Sequence, residues 1–159
     1  MSGMRACAAI AIAVIGATAA PSAASARAAG LWATVNVCDT ARHPHEVGIR
    51  ASMPGTPRDA RRRMRFRVQW RDGERWRYVK GADSGWRTMQ RARGRAIESG
   101  WSFEFEPPER PITFRGVVTF RWLRGGRAVD RGREITEVGH RSTAGADPED
   151  YSAATCSMA

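Results

Sequence analysis

Beyond residue 30 the chain is dominated by alternation of apolar and polar side chains. In MRFRVQWR, Met64, Phe66, Val68 and Trp70 alternate with Arg65, Arg67, Gln69 and Arg71. A period of two marks a strand with one face on a core and the other in solvent. The period returns in WSFEFE, where Trp101, Phe103 and Phe105 alternate with Ser102, Glu104 and Glu106. In ITFRGVVTFRWLR, Ile112, Phe114, Val118, Phe120 and Trp122 share a face, and in EVGIRASM so do Val47, Ile49, Ala51 and Met53. The run LWATVNVC is rich in β-branched residues and predicts one more strand. DTARHPHE and PGTPRDARRR are loops, and prolines 107, 108 and 111 stop the WSFEFE strand. Gly125-Gly126 predicts a turn into a weaker partner, Arg127 to Val138, that carries Asp130, Arg133 and Glu134 and reads as an edge strand.

Asp72-Gly73 signals a hairpin whose returning strand is RWRYVK. A two-residue loop pairs Arg71 with Glu74 and sends Trp76 and Tyr78 to the outer face, opposite Gln69 and Arg67. A three-residue loop with a bulge pairs Arg71 with Arg75 and sends both rings to the core. A slip of one residue exchanges the faces, and burial of the rings favours the bulged register.

Seven or eight short strands with turn signals and no helical period predict an all-β fold, an antiparallel β-sandwich. Ahead of it, Arg5, an apolar stretch from Ala6 to Ala20, Pro21 and the small-x-small sites ending at Ala26 and Ala28 read as a signal peptide over 1–28. The stretch is too short to span a bilayer, so no transmembrane segment is expected in the mature form. Cys7 lies at the very start of the apolar stretch, where a lipoprotein cysteine would follow it. Residues 29–159 suit one domain. After cleavage only Cys38 and Cys156 remain, in a compartment where thiols oxidise, and a disulfide between them is expected. The aperiodic tail GHRSTAGADPEDYSAATC is expected to wrap across the domain, with Tyr151 docking and Cys156 tied back to Cys38.

Charge changes the picture. The chain carries 26 basic residues and a net charge of +10. Between Arg58 and Arg95, thirteen arginines and Lys80 stand against Asp59, Asp72, Glu74 and Asp83, an excess of ten that equals the net charge of the chain. So concentrated a basicity points to a polyanionic partner. Part of the arginine enrichment follows from GC-rich codons. The candidate polyanion-binding residues are Arg61, Arg62, Arg63, Arg65, Arg67, Arg75 and Arg77, with Trp86 for stacking, because guanidinium forks bind phosphate, sulfate or carboxylate bidentately. The alternative is a solvated face whose arginines pair with Glu104 and Glu106 on a neighbouring strand.

No catalytic constellation stands out. GADSGW resembles the segment around a serine-protease nucleophile but lacks the rest of that machinery, and a tight turn explains it. His43, His45 and His140, with Asp39 or Glu46, offer a weak metal site and hence the alternative of a metal-dependent hydrolase. Asp147, Glu149 and Asp150 lack calcium-loop spacing and read as a solvated acidic turn. Trp32, Trp76 and Trp86, the tryptophans that core alternation does not claim, are candidates for a glycan platform.

The stretches VNVCDT, GIRASMPG, RMRFRVQW, GADSGW and GHRSTAGADP resemble those of small exported proteins of high-GC bacteria, and the strand pattern resembles immunoglobulin-like and fibronectin type III-like domains. The resemblance implies a β-sandwich and no particular activity. Cys38 lies well before Trp70 and Cys156 follows the last hairpin, so the antibody-type core disulfide gives way to a strand-to-tail staple. The reading at this point is a secreted or cell-envelope, non-enzymatic interaction domain without cofactor. Its expected partner is an anionic envelope polymer or another protein, with nucleic acid less favoured. A purely structural envelope protein stays open, as does oligomeric state.

Overall fold

A computed structural model describes residues 30–55, 60–90 and 94–159. The expected signal peptide, 1–28, lies outside the described residues. The strands are β1 (Trp32–Cys38), β2 (Glu46–Met53), β3 (Arg61–Asp72), β4 (Arg75–Asp83), β5 (Arg87–Thr88), β6 (Ile97–Glu104), β7 (Ile112–Arg124), β8 (Arg127–Ile135) and β9 (Cys156–Met158). Among the described residues there is no helix. The fold is an antiparallel β-sandwich of a small sheet, β1-β2-β6, and a larger one, β4-β3-β7-β8, in which β5 also pairs with β3 and β9 with β7.

The alternation seen in the sequence becomes the packing. Val35, Val47, Ile49 and Met53 of the small sheet meet Met64, Phe66, Val68, Val118 and Phe120 of the large one, all with no accessible surface. Burying each of the larger side chains contributes about 1.5–3 kcal/mol. β8 is an edge strand, as its mixed composition predicted.

The tail closes one side of the sandwich. Val35 and Ala153 exchange backbone hydrogen bonds of 2.9 and 3.0 Å, and the Asp147 amide donates to the Asn36 carbonyl at 2.9 Å, so the free edge of β1 is covered. Tyr151 packs half-buried against the core. The tail then ends in a strand that the sequence did not announce: β9 pairs with the start of β7, Cys156 opposite Phe114, and buries Met158 completely. The disulfide joins Cys38 and Cys156 across a sequence separation of 118. It therefore ties the end of β1 to the tail and, through β9, one sheet to the other.

The β3–β4 hairpin corrects the favoured register. Asp72 pairs with Arg75, Arg71 with Trp76 and Gln69 with Tyr78, around a two-residue turn at Gly73-Glu74. Gly73, at φ 59°, occupies the first turn position, where primed hairpin turns require positive φ. Trp76 and Tyr78 consequently lie on the outer face and not in the core. Ring burial did not decide the register because the outer face offers both rings cationic partners.

Candidate functional site

Register places the arginines. β3 and β7 pair Arg61 with Leu123, Arg63 with Arg121, Arg65 with Thr119, Arg67 with Val117 and Gln69 with Arg115, all facing away from the core. β8 extends the same rows, setting Arg131 beside Arg121 and Arg133 beside Thr119. One sheet face thus collects guanidinium groups from three adjacent strands. Arginine stems roof this face well enough that Val117, which points away from the core between Arg67 and Ile135, has no accessible surface.

Aromatic rings are interleaved with the cations. The guanidinium carbon of Arg67 lies 4.3 Å from the centre of the Tyr78 ring. Those of Arg115 and Arg121 lie 4.1 Å from the rings of Trp76 and Trp86. Each such contact contributes about 0.5–1 kcal/mol at an exposed site. Arg115 also donates from Nε to Gln69 Oε1 at 2.9 Å, and Arg63 from a terminal nitrogen to the Trp86 carbonyl at 3.1 Å.

Carboxylates are scarce here. Asp83 accepts two hydrogen bonds from Arg65 Nε, at 2.8 and 3.0 Å, and a further one from its terminal nitrogen. The hydrogen bond from Arg65 holds the Asp83 carboxyl below its usual value, and the same bond raises the Arg65 guanidinium. Arg115 is lowered by burial and then by the charge of Arg133, a sign of cations crowding without counter-charge. The row Arg63–Arg121–Arg131 is the densest. Its three members are direct cross-strand neighbours, and like charges so placed oppose folding. Four buried polar side-chain atoms of this face have no hydrogen-bond partner: Arg63 Nε, Arg67 Nε, Thr119 Oγ1 and Arg121 Nε.

The structure brings Arg61, Arg63, Arg65, Arg67 and Trp86 together and separates the other candidates. Arg62 points the opposite way, is buried, and donates to the carbonyls of Pro54 at 3.3 Å and Arg95 at 2.7 Å. Burial lowers its pKa. Arg75 and Arg77 point to the side of Trp70, since the corrected register puts Trp76 and Tyr78 outside, and Arg77 pairs with Asp72. Glu104 lies on β6 in the other sheet, with Glu106 just beyond it, and neither forms an ion pair with the arginines of β3, β7 or β8 among the described residues. Arg115, Arg121, Arg131 and Arg133 were missed because charge was tallied over one contiguous segment. The signal was present: Arg115 and Arg121 occupy the polar positions of ITFRGVVTFRWLR.

The remaining candidates are dispersed. His43 pairs with Glu46 at 3.0 Å and His45 lies 3.7 Å from Asp39, both beyond the Cys38 end of β1. His140 stacks on Trp32 at the other end, with ring centres 4.4 Å apart, and pairs with Glu137 at 3.2 Å. Six residue steps of about 3.3 Å put those ends roughly 20 Å apart. Among the described residues no three of His, Cys, Asp and Glu are gathered to hold a metal. Ser84 accepts from the Phe66 amide and donates to the Gly85 carbonyl, so Asp83-Ser84-Gly85 forms the turn into β5. Asp147 is buried and holds Thr40 and Arg42, while Asp150 accepts from Ser142. Trp32 belongs to the small sheet, apart from Trp76 and Trp86.

The chain matches no protein-family model and no curated protein.

Proposed function

We propose that this chain is an exported, non-enzymatic interaction domain with an immunoglobulin-like sandwich, and that the outer face of its large sheet contacts an anionic polymer of the cell envelope. The observation that carries the reading is the apposition of Arg63, Arg121 and Arg131 on adjacent strands, none of which forms an ion pair among the described residues. A fold that lines up like charges at a cost of about 0.2–1 kcal/mol per pair gains from a ligand that neutralises them. The signal peptide read in the sequence and the Cys38–Cys156 disulfide support a ligand met outside the cytoplasm. A scaffold of paired strands fixes the groups without needing a moving part, as suits binding and not turnover.

The test is retention on immobilised polyglutamate and heparin at two ionic strengths. The triple change Arg63→Gln, Arg121→Gln, Arg131→Gln is expected to abolish retention at low salt. Arg75→Gln with Arg77→Gln, which removes charge from the other side of β4, is expected to leave most of it. Retention should fall steeply with salt, as screening demands. Equal retention of the two variants overturns the reading.

A further inference from the structure

Within this face the cations are not equivalent. Arg67 and Arg115 are held by Tyr78 and Trp76, and Arg65 is neutralised by Asp83. In the row across β3, β7 and β8, Arg63, Arg121 and Arg131, with Arg133 beside them, form no ion pair with a carboxylate among the described residues. We infer that these four arginines form a seat for a phosphate monoester borne by the polymer, an inference that rests on the binding reading above.

Geometry supports a single seat. Arg63, Arg121 and Arg131 stand in one row, at strand spacings of about 4.8 Å, and Arg133 lies two residues, about 6.6 Å, along β8 from Arg131. Stems of this length span those separations, so a small group lying over β7 is within reach of all four. Two of them are restrained. Arg121 is stacked on Trp86, and Arg63 donates to the Trp86 carbonyl. Nε of Arg63 and Nε of Arg121 are buried without a hydrogen-bond partner, as is the Thr119 hydroxyl between Arg65 and Arg133, so contact with a ligand falls to the terminal guanidinium nitrogens.

Ligand chemistry follows from counting forks. One guanidinium fork engages both oxygens of a carboxylate, whose single charge neutralises only one of the four arginines. A phosphate monoester presents three acceptor oxygens and a charge of roughly −1.5 to −2 at neutral pH, which matches several forks at once. A sulfate monoester has the same shape but only a single charge, and so neutralises less of the row.

The experiment follows the arginine Nε–H signals of the exported, oxidised protein by nitrogen-15 NMR during titration with glycerol 3-phosphate, methyl sulfate and acetate at fixed ionic strength and pH 7.5. Saturable shifts are expected with glycerol 3-phosphate, binding about tenfold weaker with methyl sulfate, and no saturation with acetate. Arg131→Gln and Arg133→Gln sit on an exposed edge strand and leave folding intact, and each is expected to weaken glycerol 3-phosphate binding about tenfold. Arg127→Gln, at the turn outside the row, is expected to change nothing. Equal, unsaturable responses to all three anions, or full binding by both edge variants, overturn the seat. Polyglutamate retention separates the two ideas: retained protein without phosphate preference ends the seat alone, whereas no retention on any polyanion ends the binding reading too.

Discussion

Trp86 crosses β3 to reach Arg121: its carbonyl accepts from Arg63, and its ring stacks on a guanidinium from the strand beyond, 4.1 Å from the ring centre. A side chain that precedes the two-residue strand β5 therefore braces the densest row of cations. Trp86→Ala is expected to lower stability by about 1–2 kcal/mol, from the lost cation–π contact and the ring surface it buries. Trp86→Phe should cost less. Urea unfolding of the three proteins, with an unchanged denaturant slope, checks this.

Gly116 is a point of close approach between the large sheet and its surroundings. A Cβ there would lie 2.6 Å from Thr136 Cγ2 and 2.7 Å from Ile49 Cδ1, both in buried residues. Thr136 cannot withdraw easily, because its hydroxyl is bonded to the Ala154 carbonyl at 2.6 Å and meets the Gly116 amide at 3.0 Å. Gly116→Ala is therefore expected to destabilise the domain by about 1–3 kcal/mol through overpacking, read as a lower urea midpoint. A variant as stable as the parent would show that the tail yields freely.

The disulfide closes nearly the whole described chain, its ends 118 positions apart in sequence. In the loop-entropy model that constraint contributes about 5 kcal/mol. Cys38→Ser with Cys156→Ser is expected to lower stability by an amount of this order. The loss should extend to the tail, since β9 and the β1 edge are held together there. Hydrogen exchange at Val35 and Ala153, whose amides bond each other's carbonyls, should then accelerate more than exchange at Phe66 in the middle of the large sheet.

How much was legible follows from what each signal depends on. Strands β2, β3, β6 and β7 were readable because a buried face writes a period of two into the sequence, as Met64, Phe66 and Val68 do. The cysteine pair was readable by arithmetic. The hairpin register was not, because the rule that rings seek the core ignores cationic partners outside it: Trp76 and Tyr78 stack with Arg115 and Arg67 on the outer face, where Tyr78 stays exposed. β9 was hidden since three residues are too few for a period. The candidate face was half legible. Arg61 to Arg67 announce themselves by proximity in sequence, but Arg121, Arg131 and Arg133 join them only through strand pairing, which a tally along the chain does not see.

Asp83 offers a prediction whose two parts have opposite signs. Its carboxyl is held below the ordinary value by the hydrogen bond from Arg65, against an unfolded value of about 3.9. The unfolded chain therefore binds more protons than the folded one in the acid range, so the contribution to stability is present above that unfolded value and disappears as pH falls through the lower folded one. The pair is about one-third exposed, which limits the contribution to less than about 1 kcal/mol. Asp83→Asn is accordingly expected to be slightly less stable than the parent at pH 7 and indistinguishable from it in strong acid. On immobilised polyanion the same variant should elute at higher salt than the parent, because it removes the carboxylate that neutralises Arg65. A general loosening of the fold would lower both quantities together, so stability down and retention up, measured on one preparation, separates a local change of charge from damage to the sheet.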